Sequence, residues 1–61
     1  MFDTITLQSL SNDFKLLKSK EWKYNGKIID AIQDTGEEDV YILFKGGDVS
    51  VTHGSGQVYG N

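Results

Sequence analysis

Apolar and polar positions alternate most cleanly over residues 40–52. Val40, Ile42 and Phe44 interleave with Tyr41, Leu43 and Lys45; Gly46-Gly47 follows; Val49 and Val51 then interleave with Asp48, Ser50 and Thr52. A period of two marks strands with one buried face, and two glycines between such runs predict a hairpin with a two-residue turn. That turn would set Phe44 against Val49 and Ile42 against Val51 on the buried face, with Lys45 facing Asp48 beside the turn. Upstream, Leu10, Phe14 and Leu17 recur at i, i+4 and i+7, one face of a helix. Ser9-Leu10-Ser11-Asn12-Asp13 supplies side-chain oxygens that cap free amides, and Asp13 would sit in the first turn, where the helix dipole favours negative charge. The spacing predicts a helix over about 11–21.

The flanking segments read as further strands. Phe2–Leu7 is rich in Thr and Ile, with Ile5 and Leu7 two apart. In Trp22–Ile29, Asn25-Gly26 is a two-residue hairpin signal because both positions tolerate positive φ. The competing reading makes Asn25-Gly26 the left-handed terminator of a longer helix. Lys27–Gln33 is the next strand, joined to residue 40 through the acidic loop Asp34-Thr35-Gly36-Glu37-Glu38. His53-Gly54-Ser55-Gly56 is a turn, and Gln57-Val58-Tyr59 is either a brief last strand or a fraying end. These elements predict a single α+β domain over 1–61. It is a small antiparallel meander of three to five strands with one N-terminal helix packed on one face; a small, partly open barrel is the alternative.

Composition narrows the chemistry. A chain of 61 residues without cysteine has no disulfide, thiolate metal site or thiol nucleophile to draw on. A single histidine, His53, cannot build a His-rich metal site, and no cofactor is expected. Domains this small hide only about 60% of their unfolded surface, so packing or self-association has to supplement stability. No run approaches the ~18–20 apolar residues of a membrane span, and the N-terminus lacks the basic and apolar regions of a secretory signal. A cytoplasmic protein is expected.

Charge is partitioned along the chain. Six of the nine carboxylates fall in Asp30–Asp48 and five of the six lysines in Lys15–Lys27, for a net charge of −3. Such asymmetry speaks to partners and encounter rates. The run Asp34, Glu37, Glu38, Asp39 departs from calcium-loop spacing, in which ligands alternate around a central glycine and end on a glutamate. It reads as a solvated loop or as an acidic patch facing a basic partner. The tail Gly54–Gly60 has glycines but shows no helix after them to hold an anion, so a turn and chain end is expected there in place of a phosphate loop. His53 with Ser50, Thr52 and Ser55 nearby lacks, in sequence, the partners of a nucleophilic site, and no enzyme is expected.

Two binding functions follow. One is a non-catalytic protein-binding module or protein inhibitor. Its size and acidity suit a phage or mobile-element protein acting on a host protein, in which case the host cytoplasm is its location. Its contacts would be the aromatic and apolar residues Trp22, Tyr24, Tyr41 and Leu43, with Asp34, Glu37, Glu38 and Asp39 steering it to a basic surface; self-association is a second use of the same face. The alternative is single-stranded nucleic-acid binding through the basic and aromatic stretch Lys15–Lys27. Sm-type RNA-binding barrels also open with a helix and continue as a bent antiparallel sheet, but that likeness is topological only. An acidic chain without arginine argues against the nucleic-acid reading.

Overall fold

A computed structural model of the chain describes residues 3–61. The predicted start of the first strand at Phe2 lies outside the described residues. The elements run β1 (Asp3–Thr6), α1 (Leu7–Leu17), β2 (Trp22–Tyr24), β3 (Lys27–Asp34), β4 (Asp39–Phe44), β5 (Val49–His53) and β6 (Gln57–Gly60). All six strands join one open antiparallel sheet in the order β1-β6-β2-β3-β4-β5. The α+β architecture with one N-terminal helix is as expected, with one strand more than the three to five predicted. Of the two readings of the chain's end, the brief last strand is the one that forms: β6 has four residues and is paired on both sides, to β1 and to β2.

The helix begins four residues earlier than its spacing suggested, and Leu7 belongs to it. Thr6 is the N-cap, in extended conformation, its hydroxyl oxygen accepting from the Ser9 amide. The first free helical amides, Leu7 and Gln8, donate to the carbonyls of Gly56 and Gly54 at 2.7 and 2.9 Å. The glycine-rich turn before β6 therefore serves the helix start. Asp13 is not in the first turn; it sits at a kink with φ −123° and ψ 24°. At the other end the Trp22 indole N–H donates to the Leu17 carbonyl at 2.8 Å, satisfying one of the acceptors a helix terminus leaves free.

The β2–β3 hairpin turns at Asn25-Gly26, both at positive φ (51° and 80°), as a two-residue turn of the primed type requires. Its register sets Tyr24 opposite Lys27 and Lys23 opposite Ile28. On β3 the pairing slips between Ile29 and Ala31, so Ile29 lies opposite Phe44 and Ala31 opposite Leu43. This bulge keeps Ile29 inside and sends Ala31 out.

The β4–β5 hairpin differs from expectation by one residue. Leu43 faces Val49, Ile42 faces Ser50 and Tyr41 faces Val51. The cause lies in the turn. Gly47 N–H donates to the Phe44 carbonyl at 2.9 Å, Phe44 N–H donates to the Asp48 carbonyl at 2.8 Å, and only Gly47 takes a positive φ, of 96°. This is a three-residue loop, a turn closed by one left-handed glycine, and not the two-residue turn that needs positive φ at both centres. A slip of one residue sends every side chain of a strand to the other face. Val49 and Val51 therefore leave the core side, and the expected Phe44–Val49 and Ile42–Val51 pairs do not form. Asp48 meets Lys27 at 3.4 Å and not Lys45.

The core lies between α1 and the concave side of the sheet: Leu7, Leu10, Trp22, Ile29, Val40, Ile42, Phe44 and Val58 are buried, with Ile5, Phe14, Leu17, Tyr24 and Ile32 packed against them. Helix burial is thus shared by Leu7 and Leu10, while Phe14 and Leu17 are only partly covered.

Candidate docking surface

The bulge in β3 and the three-residue turn together build the convex face of β3–β5. Cross-strand partners share a face, so Ala31, Leu43 and Val49 form one row and Gln33, Tyr41 and Val51 the next. None is covered by the helix. Tyr41 is 51% exposed, Leu43 38%, Val49 65% and Val51 55%. These four side chains are neighbours on one face, and an exposed apolar patch of this kind is often a site of interaction. Tyr41 and Leu43 are two of the four anchors expected from sequence. Val49 and Val51 were missed because the wrong turn length placed them inside.

The other two aromatic candidates turn inward. Trp22 is 2% exposed, against Gly60, and reaches no docking surface. Tyr24 is half-buried; its ring edge lies where a Gly56 side chain would stand, and its hydroxyl is 3.5 Å from that of Thr52. Neither is available as an exposed anchor or as a stacking platform for a base.

The acidic loop closes the end of the β3–β4 hairpin next to Tyr41 and Val51. Its backbone is tied down: the Asp34 carboxylate accepts from the Gly36 amide at 3.0 Å, and the Thr35 hydroxyl donates to the Asp39 carbonyl at 3.0 Å. Gly36 takes a φ of 87° that permits the tight path. Gln8 of α1 donates to the Asp34 carboxylate at 3.1 Å, anchoring the loop to the helix start. Asp34, Glu37, Glu38 and Asp39 are all exposed. Among the described residues no group of three or more His, Asp or Glu side chains is placed to share a metal ion.

His53 makes a small polar cluster at the end of β5. The Ser55 amide donates to Nδ1 at 3.1 Å and the Ser55 hydroxyl lies 2.8 Å from the same nitrogen, while Nε2 is 3.6 Å from the Glu38 carboxylate. The amide makes Nδ1 an acceptor, so the neutral ring carries its proton on Nε2, toward Glu38. Serine, imidazole and carboxylate are thus in line, the order of groups that activates a serine. Here the imidazole is 58% and the carboxylate 91% exposed, where water weakens the Glu38 contact. The hydroxyl and ring belong to one turn, and the arrangement closes that turn.

The lysines do not gather on one surface. Lys20 pairs with Asp3, Lys27 with Asp48, and Lys23 sits in the β2 row between Tyr59 and Ile28, while Lys15 and Lys18 are exposed at the helix end. No helix among the described residues is long and apolar enough to cross a membrane. No protein-family model, no curated protein and no solved structure matches the chain, and a functional reading rests on the geometry of this convex face.

Proposed function

We propose that the protein is a non-catalytic protein-binding module, an inhibitor that acts by covering a surface of another protein. It docks through the convex face of β3–β5, with Tyr41 and Leu43 at the centre and Val49 and Val51 extending the contact. The acidic loop Asp34–Asp39 at the rim meets a basic surface of the partner. The observation that carries this reading is the adjacency of an uncovered apolar patch to the β3–β4 loop, whose carboxylates Asp34, Glu37, Glu38 and Asp39 are exposed. An apolar centre with a charged rim is the layout of a specific interface, the centre supplying affinity and the rim orientation and encounter rate. A phage or mobile-element protein working on a host protein in the host cytoplasm fits the chain's small size and acidity.

The test is affinity capture from the native cell with wild-type protein and with Leu43→Asp and Tyr41→Ala side by side. One protein recovered at fixed stoichiometry by the wild type and lost with both variants supports the reading. Recovery undiminished by either substitution removes the face from the interaction. Nucleic-acid binding is the weaker reading, because Trp22 is buried and two of the five lysines in its stretch are held by carboxylates. Absence of binding to single-stranded oligonucleotides at low salt, where phosphate contacts are strongest, disposes of it.

A further inference from the structure

One edge of the sheet is β5, which has β4 on one side and, among the described residues, no strand on the other. The pattern of its backbone groups is fixed by two bonds. Gly54 N–H donates to the Glu38 carbonyl and Phe44 N–H to the Asp48 carbonyl, which bracket the register Tyr41–Val51 and Ile42–Ser50. In an antiparallel ladder hydrogen-bonded and non-bonded pairs alternate. Ser50 and Thr52 therefore spend their amides and carbonyls on β4, and Val49, Val51 and His53 point theirs outward. The His53 carbonyl already accepts from the Gly56 amide at 3.2 Å.

The strand carries none of the usual protections of an exposed edge: no proline, no lysine and no bulge. By contrast Asp3 on β1, at the opposite edge of the sheet, is held by Lys20.

We propose that β5 pairs antiparallel with β5 of a second copy, about a two-fold axis through Val51. This register aligns all three outward residues of each strand. Val51 lies opposite Val51 and exchanges two bonds; each His53 amide donates to the opposite Val49 carbonyl, adding two more. The Val49 amides face His53 carbonyls already engaged by Gly56. Sliding by two so that Val49 lies opposite Val51 also closes four bonds but aligns two outward residues of each strand in place of three, and sliding the other way leaves two bonds, because it relies on the engaged His53 carbonyls. The same axis joins the two convex faces, so Tyr41, Leu43, Val49 and Val51 of both copies form one continuous apolar surface on a twelve-stranded sheet. Charge agrees with the antiparallel direction. It lays the Glu38 and Asp39 end of each copy beside the Gly46-Gly47 turn of the other, where Lys45 has no ion-pair partner among the described residues. A parallel arrangement would set acidic end against acidic end. Self-pairing stands whether or not a foreign protein occupies the convex face.

The experiment is sedimentation over a wide concentration range, joined to amide hydrogen exchange. Wild type approaches twice the 6.8 kDa mass of one copy as concentration rises. Val51→Lys, which sets two like charges face to face at the axis, stays at the mass of one copy. Ala31→Lys, on the same convex face but two strands from the edge, still dimerises. In the dimer the Val51 and His53 amides slow in exchange, and in Val51→Lys they exchange freely while Ser50 and Thr52, bonded to β4, remain protected. That last result certifies that the variant is folded. Wild type at the mass of one copy at the highest concentration overturns the proposal. So does a dimer that Ala31→Lys abolishes, or one in which the Val51 amide exchanges freely, since either places the contact on the face and not the edge.

Discussion

Gly60 has no room for a side chain. A Cβ built there would lie 2.6 Å from two atoms of the Trp22 six-membered ring, well inside contact distance. The indole cannot easily yield, because its N–H is fixed to the Leu17 carbonyl and its ring is buried. Gly60→Ala therefore forces overpacking, and the expected loss is about 1–3 kcal/mol, as for other added methyl groups in filled cores. A lowered denaturation midpoint with an unchanged slope would show it; an unchanged midpoint would mean that the last strand does not press on Trp22. From the sequence, Gly60 and Trp22 are separated by thirty-eight positions, and an aromatic residue beside lysines suits a surface as well as a core. The indole's fate is decided by β6 docking beside β2, a long-range event that no local pattern announces.

At the scale of the element, one hairpin determines what the convex face is made of. Gly46 and Gly47 both have open space where a Cβ would stand, so packing does not distinguish them. Backbone conformation does. Only Gly47 is left-handed, so Gly47→Ala is expected to cost about 1 kcal/mol, while Gly46→Ala is neutral or slightly stabilising through the unfolded chain. Equal losses at both positions would restore the two-residue turn, and with it the opposite placement of Val49 and Val51. A second comparison reads the register directly. Val49→Thr, at a side chain 65% exposed, is expected to shift stability by less than about 0.5 kcal/mol. Val40→Thr, at a fully buried side chain, is expected to cost about 1–3 kcal/mol for the buried hydroxyl. Strand identity was legible here because alternation is a property of the strand alone. The register was not, because Gly-Gly serves turns of two and of three residues and the pattern accommodates both: Val49 and Val51 face each way without leaving a gap in the alternation. At Asn25-Gly26 the hairpin reading prevailed over the helix terminator, and with both residues at positive φ the two-residue turn set the register. The helix start was displaced for a related reason. Ser9 and Ser11 look like caps, yet Thr6 holds that place once Leu7 and Gln8 find the carbonyls of Gly56 and Gly54.

On the scale of the whole molecule, the partition of charge along the chain is only half preserved in space. The lysines scatter over the helix end, β2 and the β2–β3 turn, two of them neutralised by carboxylates, whereas Asp34, Glu37, Glu38 and Asp39 stay together because one hairpin loop carries them all. Asp34, Thr35 and Gln8 brace the loop backbone, and the exposed Glu37, Glu38 and Asp39 sit on it at the end of the apolar face. The loop's effect should therefore be kinetic. Glu37 and Glu38 contribute little to the fold: Glu37 is exposed, and the Glu38–His53 contact is an exposed pair of a kind worth at most about 1 kcal/mol. The double substitution Glu37→Lys with Glu38→Lys is expected to leave thermal unfolding almost unchanged. Against a basic partner recovered by the wild type, it should slow association by about tenfold or more at low salt, with a much smaller change in dissociation. Raising ionic strength shortens the screening length, so the two proteins' association rates should converge in high salt. Rapid-mixing or surface-binding kinetics at several salt concentrations would measure this. Association rates that coincide at every salt concentration would take the loop out of the encounter and leave the apolar face to act alone.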